Sequence, residues 1–231
     1  MRSTTKKSLY QRYWQRALDH QGDIASLEAR LPVASSDEQL RAQGDDRFLA
    51  EMAACIFRAG FVWRVVQQKW DGFEAVFNGF LPIWLASRSP EQIEDMARDT
   101  RIIRNLSKVK AVQDNALLVL DLQRQYGGVG AFLAQWPSDD VVGLWAYLKK
   151  HGSRLGGNSG QYFLRFSGKD TFILSRDVCT ALRAEGIIDK AQPTAKRDLI
   201  KIQQTFNQLA EDSGRSFCAL SMILALSVGP R

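Results

Sequence analysis

Residues 148–177 read LKKHGSRLGGNSGQYFLRFSGKDTFILSRD, and this stretch decides the fold. Lys149 and Lys150 end one helical run, a turn punctuated by glycines follows at 152–160, and the apolar run Tyr162–Phe166 comes next. Glycine-rich turns bring bare backbone N–H groups close to their surroundings. A helix that begins after such a turn adds its positive N-terminal end. The pattern suits one phosphate of a nucleic-acid backbone, and an ordinary interhelical loop is the alternative.

The composition is that of a basic globular chain. Its 231 residues are 45% hydrophobic and carry a formal net charge of +6. A chain of this length can bury a core as one large domain or as two small lobes, and a basic surplus fits a polyanionic partner. No apolar run approaches the roughly 20 residues of a membrane span. The basic start MRSTTKK lacks the apolar segment of a signal peptide, so we expect a cytoplasmic protein without membrane association.

Metal-ligating residues are few. Cys55, Cys179 and Cys218 are widely spaced, which predicts reduced, buried thiols. Together with only two histidines they form no recognisable zinc spacing. We therefore expect neither a metal nor a cofactor.

Helical periodicity dominates the chain. Apolar residues recur at helical spacing over residues 46–68, and Ser89 with Gln92 forms a capping box. A long amphipathic run over 102–126, with an interruption expected near 105–107, ends at two glycines. The only strand signal is the short stretch 171–174.

The sequence therefore predicts an all-α protein. We expect an N-terminal arm and linker over residues 1–45 and a helical body over 46–231. The helix–hairpin–helix is expected at about 140–168, and the first and last segments are expected to pack together as one lobe.

Four motifs along residues 9–190 resemble, in the same order, those of the DNA-3-methyladenine glycosylase I family. They are LYQRY at 9–13, AGFVW at 59–63, IIRN at 102–105 with Lys108 and Asn115-Ala116, and the LKKHG hairpin at 148–157. The resemblance implies the helix-hairpin-helix DNA glycosylase fold, an all-α body of two lobes with a cleft. It also implies a monofunctional glycosylase that acts as a monomer on double-stranded DNA containing an alkylated base.

The resemblance assigns roles to individual residues. Tyr10, Tyr13 and Trp63 would form the walls of the base pocket, because a flat cationic base gains from aromatic contact. The hairpin would hold a DNA phosphate, and such contacts position DNA without reading its sequence. The hairpin residues assigned to DNA binding are Lys149, Lys150, Gly152, Leu155, Gly156, Gly157 and Asn158.

Three departures from the family pattern are visible. Trp14 stands where the family has a histidine zinc ligand, so a zinc site is not expected. The family's base-reading glutamate is missing from the neighbourhood of Cys55, and Glu51 is the nearest carboxylate. The superfamily's catalytic aspartate position holds Ser175, with Asp177 two residues further on. We therefore assign Cys55 and Ser175 to substrate binding and Asp177 to catalysis, with a helix cap or a salt bridge as the structural alternative for Asp177.

Three hypotheses follow from these patterns. The first is a monofunctional DNA glycosylase in base excision repair that releases an alkylated purine of the 3-methyladenine type. Lyase chemistry is not expected, because no lysine occupies a Schiff-base position after the hairpin. Lys169 is the only lysine nearby, and we expect it to cap a helix or to contact a phosphate. The second is a non-catalytic DNA-binding module on the same scaffold, and the third is a helical protein-interaction domain.

Overall fold

The computed structural model describes residues 7–60 and 62–229. Over these residues the chain is helical and contains no strand, which confirms the predicted all-α class. The helices are α1 (Leu9–Gln21), α2 (Ile24–Glu28), α3 (Asp37–Ala42), α4 (Asp45–Arg58), α5 (Trp63–Gln68), α6 (Trp70–Val76), α7 (Pro82–Ala86), α8 (Pro90–Arg98), α9 (Leu106–Tyr126), α10 (Val129–Gln135), α11 (Val141–His151), α12 (Asn158–Phe166), α13 (Arg176–Ala184), α14 (Lys196–Ser213) and α15 (Phe217–Leu226). A short 3-10 helix at Asn78–Phe80 follows α6.

The helices group into two compact units. The terminal unit comprises the described residues of 1–34, 138–142 and 170–231. The central unit comprises the described residues of 35–137 and 143–169. The segment 1–45, predicted as an arm and linker, contains the three helices α1, α2 and α3.

The terminal unit packs the two ends of the chain together. Helix α15 lies against α1, α13 and α14. Its aromatic core is formed by Phe172, Phe206 and Phe217, with the first two rings stacked at a centroid distance of 4.1 Å. Since α15 is apolar nearly all round, burial on several sides is the arrangement its sequence requires.

Helix α9 is the backbone of the central unit. It lies against α4, α7, α8 and α10, while α12 packs on α4. Asn105 caps its start by accepting a hydrogen bond from the Lys108 N–H at 3.1 Å. Gly127 ends it in the left-handed conformation with a φ of 85°. Ser89 and Gln92 form the capping box of α8 that the sequence predicts.

Two helical runs predicted from periodicity are shorter in the structure. The run over 46–68 is divided into α4 and α5, because Ala59 is extended and Gly60 has a φ of 77°. The run over 102–126 becomes helical only at Leu106, after the Asn105 cap, which lies in the interruption expected near 105–107. The apolar pattern continues across both boundaries, so periodicity alone does not mark where these helices end or begin. The break between α4 and α5 places Ala59, Gly60 and Trp63 around one cavity.

Candidate active site

A cavity of about 270 Å³ lies in the central unit, between the end of α4 and the start of α12. Its volume is close to the lower end of the ~300–1,000 Å³ that small-molecule sites commonly enclose. The described residues that line it are Cys55, Arg58, Ala59, Gly60, Trp63, Asn158, Ser159 and Tyr162. The structure thus brings three predicted site residues together here, namely Cys55, Trp63 and the hairpin residue Asn158. Phe61, part of the AGFVW motif, lies outside the described residues.

Two aromatic rings, Trp63 and Tyr162, line this cavity, and the Phe166 ring lies in contact with both. The Trp63 ring meets Tyr162 edge-on, with a centroid distance of 5.3 Å, and meets Phe166 at 5.7 Å. Tyr162 and Phe166 are one helical turn apart on α12 and stack at 5.6 Å. Trp63 is 44% exposed, although a core tryptophan would be buried. Part of this ring is therefore available to a flat ligand.

Arg58 supplies the charge of the cavity. Its guanidinium carbon lies 5.2 Å from the Trp63 ring centroid and 5.4 Å from that of Phe166. Its Nη1 donates to Glu51 Oε1 at 3.1 Å, which fixes the side chain from behind. The Cys55 thiol also donates to Glu51 Oε1, at 3.6 Å. Burial, reinforced by the Glu51 charge, raises the pKa of Cys55 well above its usual range, so the group that lines the cavity is a neutral thiol.

Helix α9 positions both walls of the cavity. The Lys108 ammonium donates to the carbonyl oxygens of Phe57 at 3.1 Å and Ala59 at 2.7 Å, where α4 ends. The fully buried Asn115 amide accepts from the Ser153 N–H and donates to the Ser153 carbonyl, both at 2.9 Å. One helix thus fixes the end of α4 and the hairpin turn. The Lys108 ammonium is therefore buried in this cap and is not part of a basic surface.

The hairpin has the predicted helix–turn–helix geometry, with α11 and α12 joined by residues 152–157. Gly157 has a φ of 59°, a conformation that favours glycine. A Cβ at Gly160 would collide with the Leu155 carbonyl, so only glycine lets α12 begin this close to the turn. Leu155 is buried and anchors the turn, whereas Lys149 and Lys150 are exposed. Gly152, Gly156 and Asn158 belong to the same turn or to its helix start.

The two tyrosines assigned to the pocket lie in the terminal unit. Tyr13 is fully buried, and its hydroxyl donates to the Ala181 carbonyl at 3.2 Å. Burial raises the pKa of Tyr13. The Tyr10 hydroxyl accepts from Arg215 Nε at 2.8 Å. Both tyrosines thus attach α1 to the rest of the terminal unit, and their role as walls of a base pocket stays a prediction.

Ser175 and Asp177 stand at the start of α13. Ser175 is the N-cap, with its hydroxyl accepting from the Val178 N–H at 3.2 Å. Asp177 lies in the first turn, where a carboxylate interacts favourably with the helix dipole. Helix capping and the helix dipole are thus sufficient to explain a serine and an aspartate at these two positions. Their assigned roles in substrate binding and catalysis stay predictions.

Residues 7–60 and 62–229 also bear on metal binding and on membrane association. No three His, Cys, Asp or Glu side chains there are grouped so that they could hold a metal ion. Trp14, which replaces the ligand expected from the family, instead has the Arg215 guanidinium 4.5 Å from its ring centroid. None of the helices in these ranges is both long and apolar enough to cross a lipid bilayer.

Sequence reasoning missed three residues of the cavity region. Tyr162 and Phe166 were treated as the ends of an apolar run, and Arg58 was given no role. The available signal was the aromatic pair at i and i+4 on α12, placed directly after a glycine turn.

A family model described as methyladenine glycosylase matches residues 39–151 of this chain. The curated DNA-3-methyladenine glycosylase 1 of Escherichia coli (strain K12) is 31% identical over 67 residues. These are 29% of this chain and 36% of that protein, so the match spans well under two thirds of the relative's length.

Solved structures share the fold over a larger part of the chain. The 3-methyladenine DNA glycosylase I of Staphylococcus aureus aligns with a TM-score of 0.50 at 18% identity, covering 71% of this chain and 87% of that one. The 8-oxoguanine DNA glycosylase of Methanocaldococcus jannaschii aligns with a TM-score of 0.56 at 13% identity, covering 91% of each. The resemblance read from the sequence is therefore confirmed: over residues 39–151 the chain matches the methyladenine glycosylase family, and it has the helical DNA glycosylase fold.

Proposed function

We propose that this protein is a monofunctional DNA glycosylase that hydrolyses the N-glycosidic bond of a purine alkylated at N3, of the 3-methyladenine type, after the base has left duplex DNA. The observation that carries the proposal is the exposed Trp63 ring at a cavity that the start of the second hairpin helix also lines. A stacking surface thus lies beside a DNA-binding turn, which is the combination that a base-extruding enzyme requires.

The proposed reaction needs little acid–base catalysis from the residues of the site. Alkylation at N3 leaves the base cationic and a good leaving group, so strong general-acid help is not needed. The pocket must hold the base, exclude water from it and keep it in line for cleavage. Trp63 and Tyr162 provide stacking faces and edges, and the neutral Cys55 thiol adds a small, weakly polar surface.

Hydrolysis also needs a group at the sugar. Asp177 remains the carboxylate that we propose for this role, either stabilising positive charge on the sugar or orienting water. Lyase chemistry is not proposed, because the Lys169 ammonium is buried and donates to the Leu133 carbonyl at 2.7 Å. An amine held by carbonyl oxygens in this way caps α10 and is not presented as a nucleophile.

The hairpin would supply the phosphate anchor. Its second helix is nine residues long and begins at an exposed Asn158, directly after the Gly157 turn. Free N–H groups of a first helical turn and the positive end of the helix both favour an anion there. Lys149 and Lys150 add charge at the end of the preceding helix.

The test is incubation of the purified chain with a methylated DNA duplex, followed by two measurements on the same sample. Chromatography should detect free methylated purine, and gel analysis should detect abasic sites without strand breaks until alkali is added. Strand cleavage before alkali would contradict the monofunctional assignment. Duplex binding without any base release would favour the non-catalytic module.

A further inference from the structure

We infer that Arg58 reads the edge of the extruded base, and that the cavity therefore prefers an N3-alkylated guanine to an N3-alkylated adenine. This inference rests on the proposed function and specifies its substrate. It starts from the hydrogen-bonding groups that the cavity offers, which differ from those of a pocket lined by a carboxylate.

The described lining of the cavity contains an arginine and no carboxylate. Glu51 does not line it; this carboxylate lies behind Arg58, in a neighbouring groove of about 600 Å³ that Arg58 also lines. The side chain of Arg58 thus stands between the two spaces. Arg58, the donor of the ion pair, therefore lines the cavity. Glu51, the acceptor, lines only the neighbouring groove.

Arg58 has donors to spare in this position. A guanidinium carries five N–H donors; Nη1 of Arg58 donates to Glu51, and the Cys55 thiol is its other polar neighbour, so donors remain for a ligand. The side chain is 23% exposed, and the flanking Trp63 and Phe166 rings restrict its movement. A fixed, planar set of donors with free N–H groups favours a ligand edge with two adjacent acceptors.

Guanine has such an edge and adenine does not. The O6 and N7 atoms of guanine are both acceptors, and arginine binds them in a bidentate manner more often than it makes any other specific base contact. Adenine presents an amino donor beside N7, which would face the guanidinium donor to donor. Methylation at N3 leaves both edges unchanged, so the two alkylated bases still differ there.

Charge does not separate the two bases. Both are cationic when methylated at N3, and the Glu51 carboxylate offsets the Arg58 charge at a distance of 3.1 Å. Discrimination would come from the hydrogen-bonding edge. N7-methylguanine keeps O6 but has lost the N7 acceptor, so it should be released less readily than N3-methylguanine.

The experiment uses duplex DNA treated with a methylating agent, which contains all three bases. Initial release rates are measured by chromatography in one reaction and divided by the amount of each base present. The wild-type chain should favour N3-methylguanine over N3-methyladenine by about tenfold, the discrimination expected of one good bidentate pair. Arg58→Gln should lose this ratio, and Arg58→Lys, which keeps the charge without the planar fork, should reduce it.

Arg47→Gln is the matched control. Arg47 lies on the same helix and pairs with Glu74 at 2.8 Å, but it does not line the cavity. Its variant should keep the wild-type ratio. Should the Arg58 variants fail to fold, inhibition of the wild-type chain by the two free methylated bases gives the same comparison, with N3-methylguanine the stronger inhibitor.

The outcomes distinguish this inference from the proposed function. Equal release of the two N3-methylated bases, a preference for N3-methyladenine, or an unchanged ratio in Arg58→Gln would overturn the role of Arg58 and leave the glycosylase proposal intact. Absence of release of any methylated purine would overturn the glycosylase proposal itself.

Discussion

Two basic side chains near the pocket illustrate how burial decides a role. Lys108 is 6% exposed, and its ammonium binds two carbonyl oxygens at the end of α4. Burial lowers the pKa of Lys108, yet the two acceptors compensate the buried charge. Arg58 is more exposed and lines the cavity. Sequence spacing alone does not separate them, because Lys108 belongs to one motif of the resemblance and Arg58 directly precedes another.

Replacing Lys108 by methionine should destabilise the fold. The Phe57 and Ala59 carbonyls would lose their donor, and each buried group left unpaired costs about 1–3 kcal/mol. Denaturant unfolding measures the change. Lys110→Met, an exposed neighbour on α9, should shift stability by no more than about 0.5 kcal/mol. Unchanged stability in Lys108→Met, together with weaker DNA binding, would contradict this structural role and indicate a DNA contact instead.

At the scale of elements, the hairpin is held by a residue that does not belong to it. Asn115 on α9 bonds both the N–H and the carbonyl of Ser153, and Arg154 donates to the Ser107 hydroxyl at 3.0 Å. The turn is therefore fixed by contacts within the chain, and under the proposed function this lowers the entropy cost of binding DNA.

Asn115→Ala should loosen the turn and weaken duplex binding, although Asn115 is fully buried. The Ser153 N–H loses its acceptor, so hydrogen exchange at this amide should become faster. Exchange at Ser153 measured as fast in the wild-type chain as in the variant would show that the amide bridge does not hold the turn.

Reversing the charges of Lys149 and Lys150 should weaken duplex binding and flatten its salt dependence. Each lost phosphate contact lowers the slope of log K against log salt by about 0.9. Titration of fluorescent duplex at several salt concentrations gives this slope. The matched control is the double reversal of Lys190 and Lys196, which are also exposed. Equal effects of the two double variants would indicate nonspecific electrostatics and contradict the hairpin assignment.

At the scale of the molecule, the terminal unit depends on ion pairs that join distant parts of the chain. Glu185 accepts from Arg12 at 2.8 Å and from Arg16 at 2.9 Å. The hydrogen bond from Arg12 is the largest cause that lowers the pKa of Glu185 below its ordinary 4.5. The Arg215–Glu28 pair and the Tyr10 hydroxyl make a second connection of this kind.

Acid should therefore destabilise the terminal unit. A carboxyl whose pKa is lowered by folding contributes stability above its unfolded pKa of 4.5, and this contribution is lost as the pH falls through the lower folded value. Thermal unfolding at about pH 7 and about pH 3 measures the loss. Glu185→Gln should be less stable than the wild-type chain at the higher pH and should show a smaller decrease between the two. An equal decrease in both chains would assign the acid sensitivity to other carboxyls.

The sequence predicted the local features well and the distant contacts poorly. Ser89 with Gln92, Asn105 and Gly127 act where local chemistry places them, because caps depend on residues a few positions apart. The proximity of Trp63 to Asn158 followed only from the family resemblance. The Asn115–Ser153 bridge and the placement of Arg58 between Glu51 and Trp63 depend on tertiary packing, which no local pattern encodes.

The central claim is that Trp63 forms the stacking surface for a base that the enzyme releases. Release of methylated purine from a duplex under single-turnover conditions should fall roughly 5- to 150-fold in Trp63→Ala, which corresponds to about 1–3 kcal/mol of lost stacking. Trp63→Phe should retain most of the rate, and Trp84→Ala, an aromatic deletion away from the cavity, should leave it unchanged. Full release by Trp63→Ala, with the variant folded, would contradict the account.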